Sequence, residues 1–151
     1  MIRIGFSKDI HPLVPGRPFI LGGIHLDSPF GPMGHSDADC LIHAIAESIL
    51  GALALGDLGK FFPDTDPKYK NYDSALILKE VFDYIDKKGY AVSNLDCMVS
   101  LEAPKLRPYV DDTTEACVLL YATNDSGRVG ETAKERLMSR FLLSDVQAQA
   151  I

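Results

Sequence analysis

Apolar residues recur at helical spacing over one stretch of the chain, where Ala38, Leu41, Ile42, Ile45, Ile49 and Leu53 form a single stripe. That period predicts an amphipathic helix with one buried face. Ser36 is placed to cap it, with Asp39 three residues on in a capping-box arrangement and Asp37 in the first turn. Gly56-Asp57-Leu58-Gly59 ends the pattern. A second helix is predicted from about Asp73 to Lys88, with Ala75, Leu78, Phe82 and Ile85 inside and Gly89 as the stop. A third is expected from about Pro108 to Ala122.

Strand signals lie between and around these helices. Ile2, Ile4 and Phe6 alternate with polar or small residues, and Leu95, Cys97, Val99 and Leu101 do the same. Phe19-Ile20-Leu21 and Ile24-His25-Leu26 flank Gly22-Gly23, a hairpin signal. The Pro12 to Pro18 stretch and the Ser28 to Gly34 stretch read as loops. Pro67 pushes Asp66 to extended geometry, so Phe62 to Pro67 is read as non-helical. Interspersed strands and helices with no linker or repeat predict an α+β fold. The expectation is one domain over residues 1–151, a mixed β-sheet with helices packed on one face.

Charge and composition narrow the function classes. A formal net charge of −6 argues against a sequence-independent grip on nucleic acid or on acidic membrane lipid. The three cysteines, Cys40, Cys97 and Cys117, form no C-x-x-C pair, which favours buried thiols in a reducing compartment. The N-terminus enters a strand pattern at once, without a signal-peptide core. A cytoplasmic protein is expected.

Three of the four histidines fall in two motifs. In Asp9-Ile10-His11 a strand would set carboxylate and imidazole side by side, and a third ligand would complete a zinc-type site with one open position. Alone, the pair is also what a polar strand face looks like. Gly34-His35-Ser36-Asp37-Ala38-Asp39 then leads to His43, on the polar edge of the first helix. His35 is expected at that helix's N-terminus, where free amides and the macrodipole favour an anion. Asp57, Asp64 and Asp66 lie in turn-rich loops suited to sugar hydroxyls or a cation, or simply to turn chemistry. Ala103-Pro104-Lys105 is either a strand-ending turn or a turn offering backbone groups and a lysine to a nucleotide.

Together these runs resemble a known family. Asp9-Ile10-His11, Leu21-Gly22-Gly23, Gly34 to Asp39, His43-Ala44, Gly56 to Lys60, Phe62 to Asp66 and Ala103 to Leu106 are similar, in order and spacing, to the 2-C-methyl-D-erythritol 2,4-cyclodiphosphate synthases. The resemblance covers roughly residues 1 to 110. It implies cyclisation of 4-diphosphocytidyl-2-C-methyl-D-erythritol 2-phosphate with loss of CMP, in non-mevalonate isoprenoid biosynthesis. It implies Zn2+, or another divalent transition metal, on Asp9, His11 and His43, of which Asp9 and His11 also lie against the substrate, and Mg2+ or Mn2+ on the substrate diphosphate. His35 would stabilise the transition state and Ser36 would contact substrate. Asp57 and Gly59 would bind ribose, and Phe62, Asp64 and Asp66 the methylerythritol unit. Ala103, Lys105 and Leu106 would frame the cytosine. A homotrimer with sites between subunits is implied as well.

The last forty or so residues depart from the family pattern. The nearest segment is Glu131 to Leu137, which aligns only with a gap. Glu135 then falls on the glutamate that holds the second cation, and Ala133 on a catalytic threonine. Thr132 is the neighbouring hydroxyl able to take that catalytic place, and Arg140 is the candidate for the family's substrate-binding arginine. The alternative reading is a catalytically impaired relative that binds metal and cytidine nucleotide without turnover.

Overall fold

The computed structural model describes residues 1–111. Four short strands come first: β1 (Leu13–Pro15), β2 (Phe19–Leu21), β3 (Ile24–Leu26) and β4 (Phe30–Pro32). The helices follow as α1 (Cys40–Ala52), α2 (Leu58–Phe61) and α3 (Ser74–Asp86), with 3-10 turns at Pro67–Tyr69 and Arg107–Tyr109. This is a small α+β arrangement, as the sequence predicts.

The helical core rests on stripes visible in the sequence. Ile42, Ile45, Ala46, Ile49 and Leu50 of α1 meet Ile77, Leu78, Val81, Phe82 and Ile85 of α3 in one buried cluster. Both helices carry aspartate caps: Asp39 accepts from the Leu41 and Ile42 amides, and Asp73 from the Ala75 amide. Gly89, at φ 76°, stops α3 where expected, with the Tyr90 amide closing on the Ile85 carbonyl.

The predicted hairpin is β2 with β3, paired Phe19 to Leu26 and Leu21 to Ile24. Gly22 and Gly23 both have positive φ, 61° and 81°, which a two-residue hairpin turn of this type requires. The hairpin packs Phe19, Leu21 and Leu26 against Leu41 of α1 and against Val99 and Leu101.

Several expectations need correction. The capping box at Ser36 does not form, and α1 begins four residues later, capped by Asp39. Ala38 lies at φ 62°, a left-handed conformation in which no helix can continue through it. The two stretches read as loops contain β1 and β4, an antiparallel pair with Val14 opposite Gly31. Prolines are tolerated there because they sit at the ends of an edge pair. Leu58–Phe61 is a short helix rather than a plain terminator, because Asp57 caps it through the Lys60 amide at 2.9 Å.

The single mixed sheet is not what the described residues form. They hold two separate two-stranded ladders, β1 with β4 and β2 with β3. Residues 95–101 keep the expected alternation of burial, with Leu95, Cys97, Val99 and Leu101 half-buried between exposed neighbours, whereas residues 2–6 are all exposed. Neither segment is a strand of a ladder among the described residues. A strand needs a neighbour to take its N–H and C=O groups, and periodicity alone cannot supply one. The predicted third helix falls mostly outside the described residues, which end after a 3-10 turn at Arg107–Tyr109.

Candidate metal centre

The N-terminal segment lies along α1. A Cβ on Gly5 would collide with the Ser48 carbonyl, so glycine permits this close approach. Further along the segment, Asp9 and His11 reach the first turns of α1, where His43 stands. Asp9 Oδ2 lies 3.0 Å from His11 Nε2 and 3.3 Å from His43 Nδ1. The two imidazoles sit edge to face with centroids 5.9 Å apart. One ligand atom from each of the three residues falls within 4.8 Å of the others. Their side chains keep 17 to 26% of their surface exposed, so the trio is gripped by the protein yet approachable from solvent.

This donor set suits a divalent transition ion. One carboxylate and two imidazoles are a common catalytic zinc complement, which leaves a position for water or a phosphate oxygen. Orientation is fixed from behind. His11 Nδ1 lies 2.8 Å from the Met33 carbonyl, which can only accept, so Nδ1 carries the proton and Nε2 is the ligand nitrogen. Gly34 makes room for that ring, since a Cβ there would lie 3.3 Å from His11 Cε1 and 2.8 Å from the Ala38 methyl. Burial alone would raise the Asp9 pKa. The neighbouring imidazoles, His43 foremost and then His11, outweigh it and hold the carboxyl below its ordinary value.

The loop before α1 is tied down at several points. Arg17 donates to the Gly34 carbonyl at 3.2 Å and to the Ser36 carbonyl at 3.1 Å, bracketing His35. Asp39, fully buried, accepts from Gly22 at 2.9 Å and Gly23 at 2.7 Å while capping α1. One carboxylate thus joins the hairpin turn to the helix that carries His43. Burial pushes its pKa up, opposed by those backbone donors.

The other predicted residues are distributed as follows. Ser36 is beside the trio, its Oγ 3.2 Å from His43 Nε2. His35 is exposed on the loop five residues before α1, not at the helix N-terminus expected, because Ala38 delays the helix. Its Nε2 lies 3.4 Å from the Asp66 carbonyl, so it borders the Phe62 to Asp66 loop. Phe62 stacks edge-on against Tyr69, and Asp66, extended as predicted, caps the 3-10 turn through the Lys68 amide. Asp64 is exposed on the same loop. Asp57 and Gly59 are on α2 and its cap, which Glu47 also anchors by accepting from the Leu58 amide at 2.8 Å. Ala103 and Lys105 are exposed, and Leu106 packs under the hairpin. Thr132, Glu135 and Arg140 lie outside the described residues.

Sequence reasoning missed Arg17, Met33, Glu47 and Ser74. Ser74 Oγ is 2.8 Å from His43 Nε2, although 31 positions separate the two residues. No local pattern carries such a contact.

A family model described as the YgbB family matches residues 2–151. The chain belongs to the YgbB family. Curated relatives agree with this. The 2-C-methyl-D-erythritol 2,4-cyclodiphosphate synthase of Finegoldia magna is 53% identical over 114 residues, 76% of this chain and 72% of the relative. That of Desulfitobacterium hafniense is 42% identical over 152 residues, 100% of this chain and 96% of the relative. Among solved structures, a 2C-methyl-D-erythritol-2,4-cyclodiphosphate synthase in a CDP-bound form superposes with a TM-score of 0.75 at 35% identity, covering 80% of each chain. The YgbB match runs through the C-terminal stretch in which the sequence pattern fades.

Proposed function

We propose that this protein converts 4-diphosphocytidyl-2-C-methyl-D-erythritol 2-phosphate to 2-C-methyl-D-erythritol 2,4-cyclodiphosphate and CMP, a step of non-mevalonate isoprenoid biosynthesis. The observation that carries the reading is the convergence of Asp9, His11 and His43 in a chain of the YgbB family. An oxygen of the 2-phosphate attacks the β-phosphorus, the bond from that phosphorus to the CMP oxygen breaks, and CMP leaves with the electron pair. The nucleophile is already an anion, so no strong general base is needed.

Asp9, His11 and His43 would hold Zn2+ or another divalent transition metal, and Mg2+ or Mn2+ would accompany the diphosphate. Such ions supply charge neutralisation at the phosphoryl oxygens, on a chain whose net charge is −6. Around them the chain's own groups orient the substrate. His35 stabilises charge developing at the reacting phosphate, and Ser36 contacts substrate next to His43. Asp57 and Gly59 take the ribose, Phe62, Asp64 and Asp66 the methylerythritol unit, and Ala103, Lys105 and Leu106 the cytosine. Thr132, Glu135 and Arg140 complete the set from the C-terminal stretch, within one domain over residues 1–151. A relative's solved CDP complex supports a cytidine nucleotide as the ligand class.

The working form is a homotrimer in the cytoplasm. Ile2, Ile4 and Phe6 are 92%, 89% and 89% exposed in the single chain, a run of apolar surface that further copies would cover. No helix among the described residues is long and apolar enough to cross a membrane. The net charge of −6 disfavours a sequence-independent grip on nucleic acid. A relative that binds metal and nucleotide without turnover is the less favoured reading.

The test is incubation of the purified protein with the cytidylyl substrate, zinc and magnesium, with products separated by chromatography. CMP and the cyclic diphosphate should appear together and vanish on chelation. Intact substrate beside stoichiometrically bound zinc would favour the binding-only alternative.

A further inference from the structure

We propose that Asp37 and Ser74 are positioning residues for the metal centre, a hydrogen-bond relay that holds the His43 ring with its Nδ1 lone pair turned toward Asp9 and His11. Ser74 is the first residue of α3 and fully buried, and its Oγ lies 2.8 Å from His43 Nε2. The same hydroxyl makes a very short hydrogen bond to Asp37 Oδ1, and the Ser74 amide donates to Asp37 Oδ2 at 2.9 Å. Asp37 is held in turn by the Asp39 amide at 3.1 Å.

The direction of the relay follows from what each group can do. An ionised carboxylate only accepts, so the single hydroxyl proton of Ser74 goes to Asp37. Ser74 can then face His43 only as an acceptor, which places the proton on Nε2 and leaves Nδ1 as the ligand nitrogen. Ser36 Oγ, at 3.2 Å from the same nitrogen, is the weaker partner: it already accepts from the Ala38 amide, and its own proton is uncommitted. His43 thus has the same kind of support that the Met33 carbonyl gives His11, with a charged group at the far end. The relay joins α1 and α3, because His43 and Ser74 stand on the two helices that share the core.

The inference rests on the metal-centre reading, and one experiment separates the failure of either. Metal-free wild type, Ser74→Ala, Asp37→Asn and the double variant are titrated with Co2+, read by visible absorption. Zinc affinity follows from competition with a chelating dye, and thermal melts in chelator report folding. Each single variant should bind about 10–100-fold more weakly with altered absorption bands, as expected when a ligand's supporting partner is lost. The double variant should be no weaker than the worse single, since both break one relay. A folded Ser74→Ala protein within about threefold of wild type, or fully additive penalties, overturns the relay. Wild type that fails to bind Co2+ overturns the metal centre and the relay with it. If the variants do not fold, the zinc-loaded wild type decides by proton NMR. The His43 Nε2–H should exchange slowly with water, and exchange as fast as that of exposed His25 overturns the proposal.

Discussion

Two regions with equally clear sequence periodicity behave differently. The α1–α3 pair turns its stripes into a closed core, with Ile42, Leu50 and Leu78 almost fully buried. The segment from Ile2 to Phe6, just as regular in its alternation, leaves its apolar side in water. A helix satisfies its own backbone and needs only something apolar to lean on, whereas a strand needs a neighbouring backbone as well. The metal centre bridges the two regions, with His43 on the self-sufficient side and Asp9 and His11 on the dependent one. The helical pair therefore sets the site's position, and the N-terminal segment delivers two of its three ligands.

Removing a ligand should have the largest effect. His43→Ala is expected to lose the metal and nearly all turnover, since three protein ligands become two. His35→Ala should keep the metal and lose rate on the order of 10²–10³-fold, the cost of one transition-state donor. Metal analysis beside steady-state rates checks both, and equal metal loss in the two variants would contradict the roles assigned.

Next come the paired apolar positions. Leu78→Ala should cost about 2–5 kcal/mol, as burial in a packed core implies, and lower the thermal midpoint of the whole protein. Phe6→Ser should barely move the unfolding of a single chain and should instead weaken assembly, seen by sedimentation. If Phe6→Ser destabilises the chain as much as Leu78→Ala does, the contrast between the regions is wrong. Gly5→Ala probes the seam between them. Its methyl would meet the Ser48 carbonyl, push the segment off α1, and weaken metal binding several-fold with helical circular dichroism unchanged.

The smallest effect concerns the thiols. Burial pushes both Cys40 and Cys97 up to about 11, helped by Asp39 and Asp9 near the first and Asp96 near the second. Near pH 8 roughly one thiol in a thousand is then ionised, so alkylation in a Cys117→Ser background should be slow and should accelerate as pH rises toward 11. Labelling of Cys97 well ahead of Cys40, followed by mass spectrometry, would mean that the 95–101 segment opens independently of the helices.

Much of this was legible in advance. The α1 stripe, the α3 stripe, the Gly22-Gly23 turn and the Gly89 stop depend on neighbours within a few positions, and the structure has them where the sequence puts them. The acid and two histidines of the metal centre were legible as motifs, and as one ligand set only through the family resemblance. The start of α1 was misread because Ser36 and Asp39 are both good caps. The left-handed turn at Ala38 favours the second, and the packing of Gly34 and His11 around that residue is not a local property.

The sequence by itself determined that the stretches around α1 and α3 are helical, where the hairpin turns, and which side chains carry ligand chemistry, because periodicity, glycine and capping groups act over one or two turns of chain. Only the tertiary structure decided that Asp9 reaches His43, that Arg17 grips both sides of His35, and that Ser74 backs a ligand 31 positions away. Those contacts follow from how α1, α3 and the N-terminal segment pack together, a result of excluding water from all their apolar faces at once, which no window of sequence contains.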